Sequence, residues 1–164
     1  NAVFADSIAV RELERAAETY HPRFDAVRRA YRYSLYTARV RHPLLMRYAL
    51  YVPQMLDVEA MRRALAHTIG EHDFAAFGQP TVGESTTRSV YRAAVDVAGP
   101  AITIELQANG FLYRMVRRLV GTLIPIGRGE QTEADFIRIL ESADPQQAGP
   151  AVAPQGLCLT HVSY

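Results

Sequence analysis

The sequence predicts an α+β fold, with a mostly antiparallel sheet and helices packed on one face. Two stretches of strand-like residues, 89–99 and 101–108, meet at Gly99-Pro100 and indicate a β-hairpin. Two helical patterns, 58–70 and 133–143, begin directly after residues that cap helices well. The predicted order of elements is β, β, α, β, β, α, α, β, which is typical of the α+β class.

The composition is that of a soluble globular protein. The chain has 164 residues, of which 49% are hydrophobic and 21% charged, so we expect one α+β domain over 1–164 with its own core. No apolar run approaches the roughly 20 residues that span a bilayer, which excludes a membrane partner. Cys158 is the single cysteine, which excludes an internal disulfide and favours a cytoplasmic location. The five histidines lack the spacing of metal ligands, so no metal site is expected.

The first two elements differ in how clearly they are marked. Residues 8–17 fit a strand or a helix equally well, and the predicted order counts them as a strand. Residues 31–40 alternate, with Tyr31, Tyr33 and Leu35 on one side, and therefore predict a strand with an aromatic face.

A helix is predicted over 58–70, where Asp57 is the cap and a glycine ends the pattern. Its apolar stripe consists of Met61, Leu65 and Ile69, which lie three or four residues apart on one face.

The rest of the chain continues in the same manner. Residues 71–78 are predicted to form a turn, and residues 111–126 a helix. Thr132 caps a further helix over 133–143, and residues 156–164 alternate like a strand.

Positive charge is unevenly distributed. All 18 cationic side chains are arginine, which binds phosphate in a bidentate manner better than lysine does. Residues 23–47 hold seven arginines against Asp25 alone, a net charge of +6, so the remaining chain carries −5. This asymmetry indicates a surface that faces a polyanion.

The predicted helix over 111–126 carries three arginines among core-type residues. On a helical wheel, Arg114, Arg117 and Arg118 share the side opposite the apolar arc. They could face water as the charged side of an amphipathic helix, or they could hold an anion. Arg117 lies at the edge of the arc, where a partly desolvated charge needs an acidic partner, and no acid lies within four residues.

The tyrosine strand also has two interpretations. Tyr31 and Tyr33 point the same way, with Arg29 in phase behind them. They could stack on nucleic-acid bases, at about 1–3 kcal/mol each, or pack beneath a helix with their hydroxyls at its rim.

Five segments together resemble the TruA family of tRNA pseudouridine synthases, in the family's order along the whole chain. They are RAYRYSLYT, GEHDFAAFG, TTRSVY, IELQANGFLYRMVRRLVGTLIPIGRG and PQGLCLTHVSY. The resemblance implies a mostly antiparallel catalytic sheet with flanking helices. It also implies that uridine in the tRNA anticodon stem-loop becomes pseudouridine without any metal or organic cofactor. A nucleophilic aspartate breaks the glycosidic bond, and the freed uracil turns and is rejoined through carbon 5.

The family's nucleophile belongs to a GRTDxGVHA motif, which the sequence lacks. None of the aspartates stands in a similar context, and only the family's C-terminal half is resembled. We therefore expect the chain to be that half, and to be inactive by itself.

The resemblance assigns roles to a few residues. Arg117 matches the arginine that pairs with the nucleophile, and Tyr31 matches the tyrosine that stacks on the target base and helps to move the proton at carbon 5. Leu157 matches an apolar residue of the same pocket, whereas Tyr33 is expected to be a packing neighbour. The predicted tRNA-contact segment consists of Tyr20, His21, Pro22, Arg23 and Phe24, and residues 80–84 match a second contact region.

Partners follow from the family as well. The resemblance implies tRNA as substrate and a homodimer in which one tRNA contacts both subunits. Two alternatives remain at this point: a non-catalytic RNA-binding α+β domain, and an α+β interaction domain whose arginines are only solvated.

Overall fold

The structure, a computed structural model, describes residue 5 and residues 7–164. Regular structure within them begins at Arg28. The strands are β1 (Arg28–Thr37), β2 (Leu50–Val52), β3 (Gly70–Asp73), β4 (Thr87–Ala98), β5 (Ala101–Ala108) and β6 (Leu157–Ser163). The helices are α1 (Val58–Ala66), α2 (Met115–Gly127) and α3 (Glu133–Ser142).

The strands form one sheet in the order β2-β1-β5-β4-β3, and β6 joins the edge of β1 that β2 also uses. Among the described strands, only β1 and β2 pair in parallel. The long β4–β5 pair closes at Gly99-Pro100, as predicted. The predicted fold class, α+β with a mostly antiparallel sheet, is therefore confirmed.

One face of the sheet carries the helices. Ile102, Ile104 and Leu106 alternate along β5 and are buried in the same cluster as Leu65 of α1 and Leu119 of α2. Burying a side chain of this kind stabilises the fold by about 1.5–3 kcal/mol. Since α1 and α2 also contact each other, the sheet and the two helices share one core.

The starts of α1 and α3 were predicted correctly from their capping residues. The Asp57 carboxylate accepts a hydrogen bond from the amide of Ala60 (2.9 Å), which caps α1. Thr132 and Asp135 form a reciprocal capping box at the start of α3. The end of α1 was predicted too late, because the Thr68 hydroxyl bonds the carbonyl of Leu65 (2.7 Å) and the helix stops at Ala66.

Two consequences follow for residues near that helix end. Ile69, predicted on the apolar stripe of the helix, is 49% exposed, so this prediction was wrong. Gly70 takes a φ of 108° and begins β3, which the sequence analysis assigned to a turn. β3 contains Glu71, His72 and Asp73, and so has no apolar alternation to reveal it.

The N-terminal part of the prediction needs three further corrections. Residues 8–17 form neither a strand nor a helix. β1 begins three residues earlier than predicted, because Arg28 and Arg29 pair with Ser163 and Val162 of β6. The three-residue strand β2 was not predicted, since so short a segment shows no periodicity.

α2 begins at Met115 instead of residue 111. Arg114 takes a left-handed conformation (φ 65°), and the amide of Tyr113 bonds the carbonyl of Gln79 (2.8 Å). A tertiary bridge thus holds residues 111–114 out of the helix. The prediction that three arginines share one helical face is therefore wrong for Arg114.

The polar side of α2 is covered by residues 143–153, here called the cover segment. The amide of Gly149 bonds the Thr122 hydroxyl (2.9 Å), and the amide of Val152 bonds the carbonyl of Arg117 (3.2 Å). A Cβ added at Gly121 would lie 2.0 Å from the carbonyl oxygen of Pro150, so only glycine permits this approach. The interpretation of this helix side as a water-facing charged surface is accordingly wrong.

Candidate functional site

A cavity of about 250 Å³ opens between β1, the segment that precedes α2, and the start of β6. We call it the tyrosine cavity. It brings together three residues that the sequence analysis singled out: Tyr31, Arg117 and Leu157. The other lining residues are Thr81, Phe111, Leu112, Tyr113, Arg114, Met115 and Val116.

Tyr31 is a half-buried residue on β1, a strand with neighbours on both edges. Its ring meets that of Phe111 edge to face, with centroids 5.0 Å apart and an interplanar angle of 86°. Such a contact fixes the orientation of the ring and is worth about 0.5–1.5 kcal/mol beyond its buried area. Among the described residues, the Tyr31 hydroxyl has no hydrogen-bond partner, so it is available to a molecule in the cavity.

Arg117 is held by the cover segment. Its Nε donates to the carbonyl oxygen of Val152 at 2.6 Å, and the side chain is half-buried. Within the described part of the chain, neither Nη1 nor Nη2 makes a hydrogen bond, and no carboxylate pairs with the guanidinium. The residue therefore presents two donor nitrogens, with four N–H groups between them, and a net positive charge at the cavity wall.

Tyr33 lies behind this wall and is fully buried, as expected of a packing neighbour. Its hydroxyl donates to the carbonyl oxygen of Ala153 at 2.6 Å. Burial raises the pKa of Tyr33 to about 12, although the charge of Arg117 opposes that increase. Tyr33 and Arg117 thus bind neighbouring carbonyls of the cover segment and fix it against the sheet.

A second cavity, of about 280 Å³, adjoins the first, and we call it the cationic cavity. Tyr31, Thr81 and Phe111 line both cavities. The cationic cavity adds three arginines, which are Arg23, Arg29 and Arg88. Phe24, Val82 and Gly110 complete its lining.

None of these three arginines pairs with a carboxylate of the described chain. Arg23 donates to the Thr81 hydroxyl (3.0 Å), Arg29 to the carbonyl oxygen of Asn109 (3.0 Å), and Arg88 to that of Thr87 (2.6 Å). Burial lowers the pKa of Arg88, as expected of a partly desolvated cation. The cavity thus combines aromatic surface with uncompensated positive charge, a combination suited to a base and its phosphates.

The predicted tRNA-contact segment lies only partly in this cavity. Arg23 and Phe24 line it, whereas Tyr20, His21 and Pro22 do not. His21 instead organises the turn, because its Nδ1 accepts from the amides of Arg23 (3.2 Å) and Phe24 (3.3 Å).

Tyr164, the residue after β6, anchors the same segment. The Tyr164 hydroxyl donates to the carbonyl oxygen of Pro22 at 3.2 Å, and the Tyr164 ring meets that of Tyr20 with centroids 5.1 Å apart. Of the second predicted contact region, 80–84, the structure brings Thr81 and Val82 to the cavities.

Known proteins resemble this chain over its full length. The sequence pattern of the family described as tRNA pseudouridine synthase matches residues 64–164. A protein named tRNA pseudouridine synthase A from Burkholderia mallei (strain SAVP1) is 40% identical over 165 aligned positions, covering 100% of this chain and 61% of that protein. Its namesake from Geobacter sp. (strain M21) is 42% identical over 166 positions, covering 100% of this chain and 67% of that protein.

The chain belongs to the tRNA pseudouridine synthase family. It spans 61% of the length of the Burkholderia relative, so a substantial part of that protein has no counterpart in these residues. The family resemblance seen in the sequence motifs is thereby confirmed.

Several residues that line the two cavities were missed by sequence reasoning. Phe111 was assigned to a helix, yet it lies before α2 and contacts Tyr31. Arg88 belongs to a quoted family segment but received no role, and Thr81 was included only within a loop. The spacing of these residues carries no signal of their meeting, because the contacts join distant parts of the chain.

The described residues contain no group of three or more His, Cys, Asp or Glu side chains arranged to hold a metal ion. No helix among them is long and apolar enough to cross a bilayer.

Proposed function

We propose that this chain forms one wall of the active site of a tRNA pseudouridine synthase, which isomerises uridine to pseudouridine in the tRNA anticodon stem-loop. The observation that supports it is the meeting of Tyr31, Arg117 and Leu157 around one cavity, where the guanidinium has no carboxylate partner in the described chain. Family membership makes this chemistry the natural candidate.

In this proposal, Arg117 pairs with a nucleophilic aspartate that another part of the enzyme supplies. A nearby guanidinium favours the ionised form of a carboxylic acid, so Arg117 keeps the nucleophile charged. The bond from Nε to the Val152 carbonyl (2.6 Å) fixes the guanidinium plane before that carboxylate arrives. The aspartate then breaks the glycosidic bond, and the freed uracil turns so that carbon 5 can bond the ribose.

Tyr31 and Leu157 act on the uracil itself. The Tyr31 ring, fixed by Phe111, stacks on the base, and its free hydroxyl is suited to assist proton removal from carbon 5. Leu157 supplies apolar surface from β6, the strand that pairs with β1. The cationic cavity, with Arg23, Arg29 and the segment from Tyr20 to Phe24, binds the flanking tRNA backbone.

The wider context is part of the same proposal. The enzyme acts in the cytoplasm as a homodimer, with one tRNA contacting both subunits. No aspartate of this sequence stands in a GRTDxGVHA motif, so the 164-residue chain alone is expected to form no pseudouridine. Incubation of the chain with a uridine-containing anticodon stem-loop, followed by nucleoside analysis, tests this; pseudouridine above background refutes it.

The decisive experiment replaces Arg117 by alanine in an enzyme that joins this chain to an aspartate-bearing half of a tRNA pseudouridine synthase. Loss of an electrostatic partner at a reacting centre is expected to lower kcat by at least about 10²-fold. The affinity for tRNA should change by less than about twofold, because Arg117 contacts no phosphate in the proposed complex.

A matched control is Arg92→Ala. Arg92 lies exposed on β4, and its side chain makes no hydrogen bond or ion pair within the described chain, so its loss should leave kcat unchanged. Turnover that survives in the Arg117 variant removes this residue from the chemistry.

The cationic cavity also favours a second candidate, a non-catalytic RNA-binding domain. The two functions are separated by the same joined enzyme. If it binds the stem-loop with the expected salt dependence but forms no pseudouridine, the second candidate is preferred.

A further inference from the structure

A third cavity lies on the other side of Tyr113 and Arg114 from the tyrosine cavity. Its volume is about 120 Å³, and we call it the Arg118 cavity. It is lined by Gly78, Gln79, Tyr113, Arg114 and Arg118. Since Tyr113 and Arg114 line both cavities, a ligand in one is adjacent to a ligand in the other.

Arg118 has a buried donor that the protein leaves unsatisfied. Its Nη2 donates to the carbonyl oxygens of Pro145 and, at 3.4 Å, Ala148 of the cover segment. Its Nε is buried, yet has no hydrogen-bond partner among the described residues. Leaving a buried donor without a hydrogen bond costs roughly 1–3 kcal/mol of folding stability, so an acceptor that bonded this Nε would recover that stability.

Arg114 brings a second positive charge to the same cavity. Its guanidinium carbon lies 4.9 Å from the centroid of the Tyr113 ring, a cation–π contact that limits its motion. The left-handed backbone at Arg114 (φ 65°) turns the chain immediately before α2. Arg118 follows one turn later, and its amide bonds the Arg114 carbonyl (3.0 Å), so the spacing of the two arginines is fixed.

The character of the lining specifies an anion. No aspartate or glutamate lines the cavity, and neither arginine forms an ion pair with a described residue. The neutral residues Gln79 and Tyr113 complete the polar part of the lining. A volume of about 120 Å³ equals that of roughly four water molecules, which accommodates a tetrahedral oxyanion.

We propose that Arg114 and Arg118 form a subsite for one phosphodiester group of RNA, beside the nucleotide that occupies the tyrosine cavity. This inference rests on the proposed function in so far as the bound nucleic acid is tRNA. The phosphate receives charge-assisted contacts from the guanidinium groups of Arg114 and Arg118, which both line the cavity. Because the subsite lies next to the reacting nucleotide, it fixes the register of the strand and not the chemistry.

The first test observes the Arg118 side chain directly. Arginine Nε–H resonances of the ¹⁵N-labelled chain are assigned and titrated with inorganic phosphate, then with a short single-stranded RNA. The Arg118 resonance is expected to shift saturably with both ligands, and its hydrogen exchange to slow. Saturable shifts with phosphate but none with RNA would overturn the assignment to an RNA phosphodiester. The absence of a shift with either would overturn the subsite altogether.

The second test uses charge-removing variants. Arg114→Gln and Arg118→Gln should each weaken RNA binding and reduce the slope of log affinity against log salt by roughly 0.7–0.9, the value for one phosphate contact. Arg92→Gln, an exposed arginine of β4, is the matched control and should leave the slope unchanged. An unchanged slope in the Arg114 variant contradicts the proposal.

Arg118 also binds the cover segment, so its variant could fail to fold. Arg114 is exposed and makes no such bond, which keeps the test valid if the Arg118 variant is lost. In the joined enzyme, the Arg114 variant should raise KM several-fold with kcat nearly unchanged. A loss of kcat at constant KM would overturn the positioning role.

Failure of the proposed function has a different signature. In that case the joined enzyme forms no pseudouridine, while the Arg118 resonance still responds to phosphate and RNA.

Discussion

At the residue scale, the arginines of α2 both bind the cover segment and keep nitrogens free of protein partners in the described chain. Arg117 and Arg118 each use part of the guanidinium to bind carbonyl oxygens of the cover segment. Other nitrogens of each remain without a protein partner in the described chain. A carbonyl partner fixes the geometry of a guanidinium and leaves its positive charge in place. A carboxylate partner would neutralise that charge.

The close approach of the cover segment to α2 predicts the effect of Gly121→Ala. The new Cβ would lie 2.0 Å from the carbonyl oxygen of Pro150, so backbone has to move. We expect a loss of about 1–3 kcal/mol in the free energy of unfolding, measured by urea denaturation. The same variant of the joined enzyme should also lose activity, because Val152 shifts with the segment.

Gly127→Ala is the control on the same helix. There the nearest atoms, which include the sulfur of Met61 (2.7 Å) and the Cβ of Leu56 (3.2 Å), belong to side chains, so less backbone movement is required than at Gly121. A Gly121 variant no less stable than the Gly127 variant would show that the cover segment is not packed as described.

Residue-scale predictability was uneven for a physical reason. Tyr31, Arg117 and Leu157 could be singled out because family motifs mark them, and the structure brings them to one cavity. Arg117 also stood out by itself as a charge at the edge of an apolar arc. Phe111 could not be found, since its contact with Tyr31 joins residues 80 positions apart in the sequence.

Helix ends show the same contrast at the scale of elements. α3 was located correctly because its cap depends on Thr132 and Asp135, which are sequence neighbours. The start of α2 was placed four residues too early because the bridge from Tyr113 to Gln79 overrides a good helical pattern. A local cap thus determines where α3 begins, whereas a long-range contact determines where α2 begins.

The capping box of α3 predicts a pH dependence of stability. A hydrogen bond from Arg138, together with bonds from Thr132, lowers the pKa of Asp135 from its ordinary 3.8 to about 2. A depressed pKa means that the carboxylate stabilises the fold above its unfolded value, and that this contribution is lost as pH falls toward about 2. Asp135→Asn should therefore reduce stability at neutral pH, with the difference from wild type shrinking below about pH 4.

Urea denaturation at a series of pH values measures this difference. Asp96→Asn, at an exposed position on β4 without a hydrogen bond in the described chain, controls for the change in net charge. A difference at Asp135 that stays constant down to pH 2 would contradict the assigned role of its carboxylate.

At the scale of the whole molecule, the arginines that line the cavities come from several parts of the chain and not mainly from the segment 23–47. The segment 23–47 was predicted to face a polyanion, yet of its seven arginines only Arg23 and Arg29 reach a cavity. Arg32 pairs with Glu105 at 2.7 Å, and Arg28 lies over the ring of Tyr91. The remaining arginines of the two cavities and the subsite come from later parts of the chain: Arg88, Arg114, Arg117 and Arg118.

This arrangement predicts salt-sensitive RNA binding despite a net charge of only +1. Five arginines of the cationic and Arg118 cavities are available to phosphates: Arg23, Arg29, Arg88, Arg114 and Arg118. If each contacts one phosphate, log affinity for an anticodon stem-loop should fall against log salt with a slope of about −3.5 to −4.5. Fluorescence anisotropy across a salt series measures this slope, and a value near −1 would indicate that the arginines are only solvated.

The pairing of β1 on both edges has a mechanical consequence. The backbone of Tyr31 pairs with β5 on one side and β6 on the other, and its ring packs against Phe111, so both contacts restrict movement of the side chain. Residues 81–85, by contrast, are all exposed, and Thr81 and Val82 of this segment line the cationic cavity. Under the proposed function, different tRNAs should be accommodated by movement of this exposed segment around a stationary tyrosine, and a poorly fitting RNA should dissociate before it displaces β1.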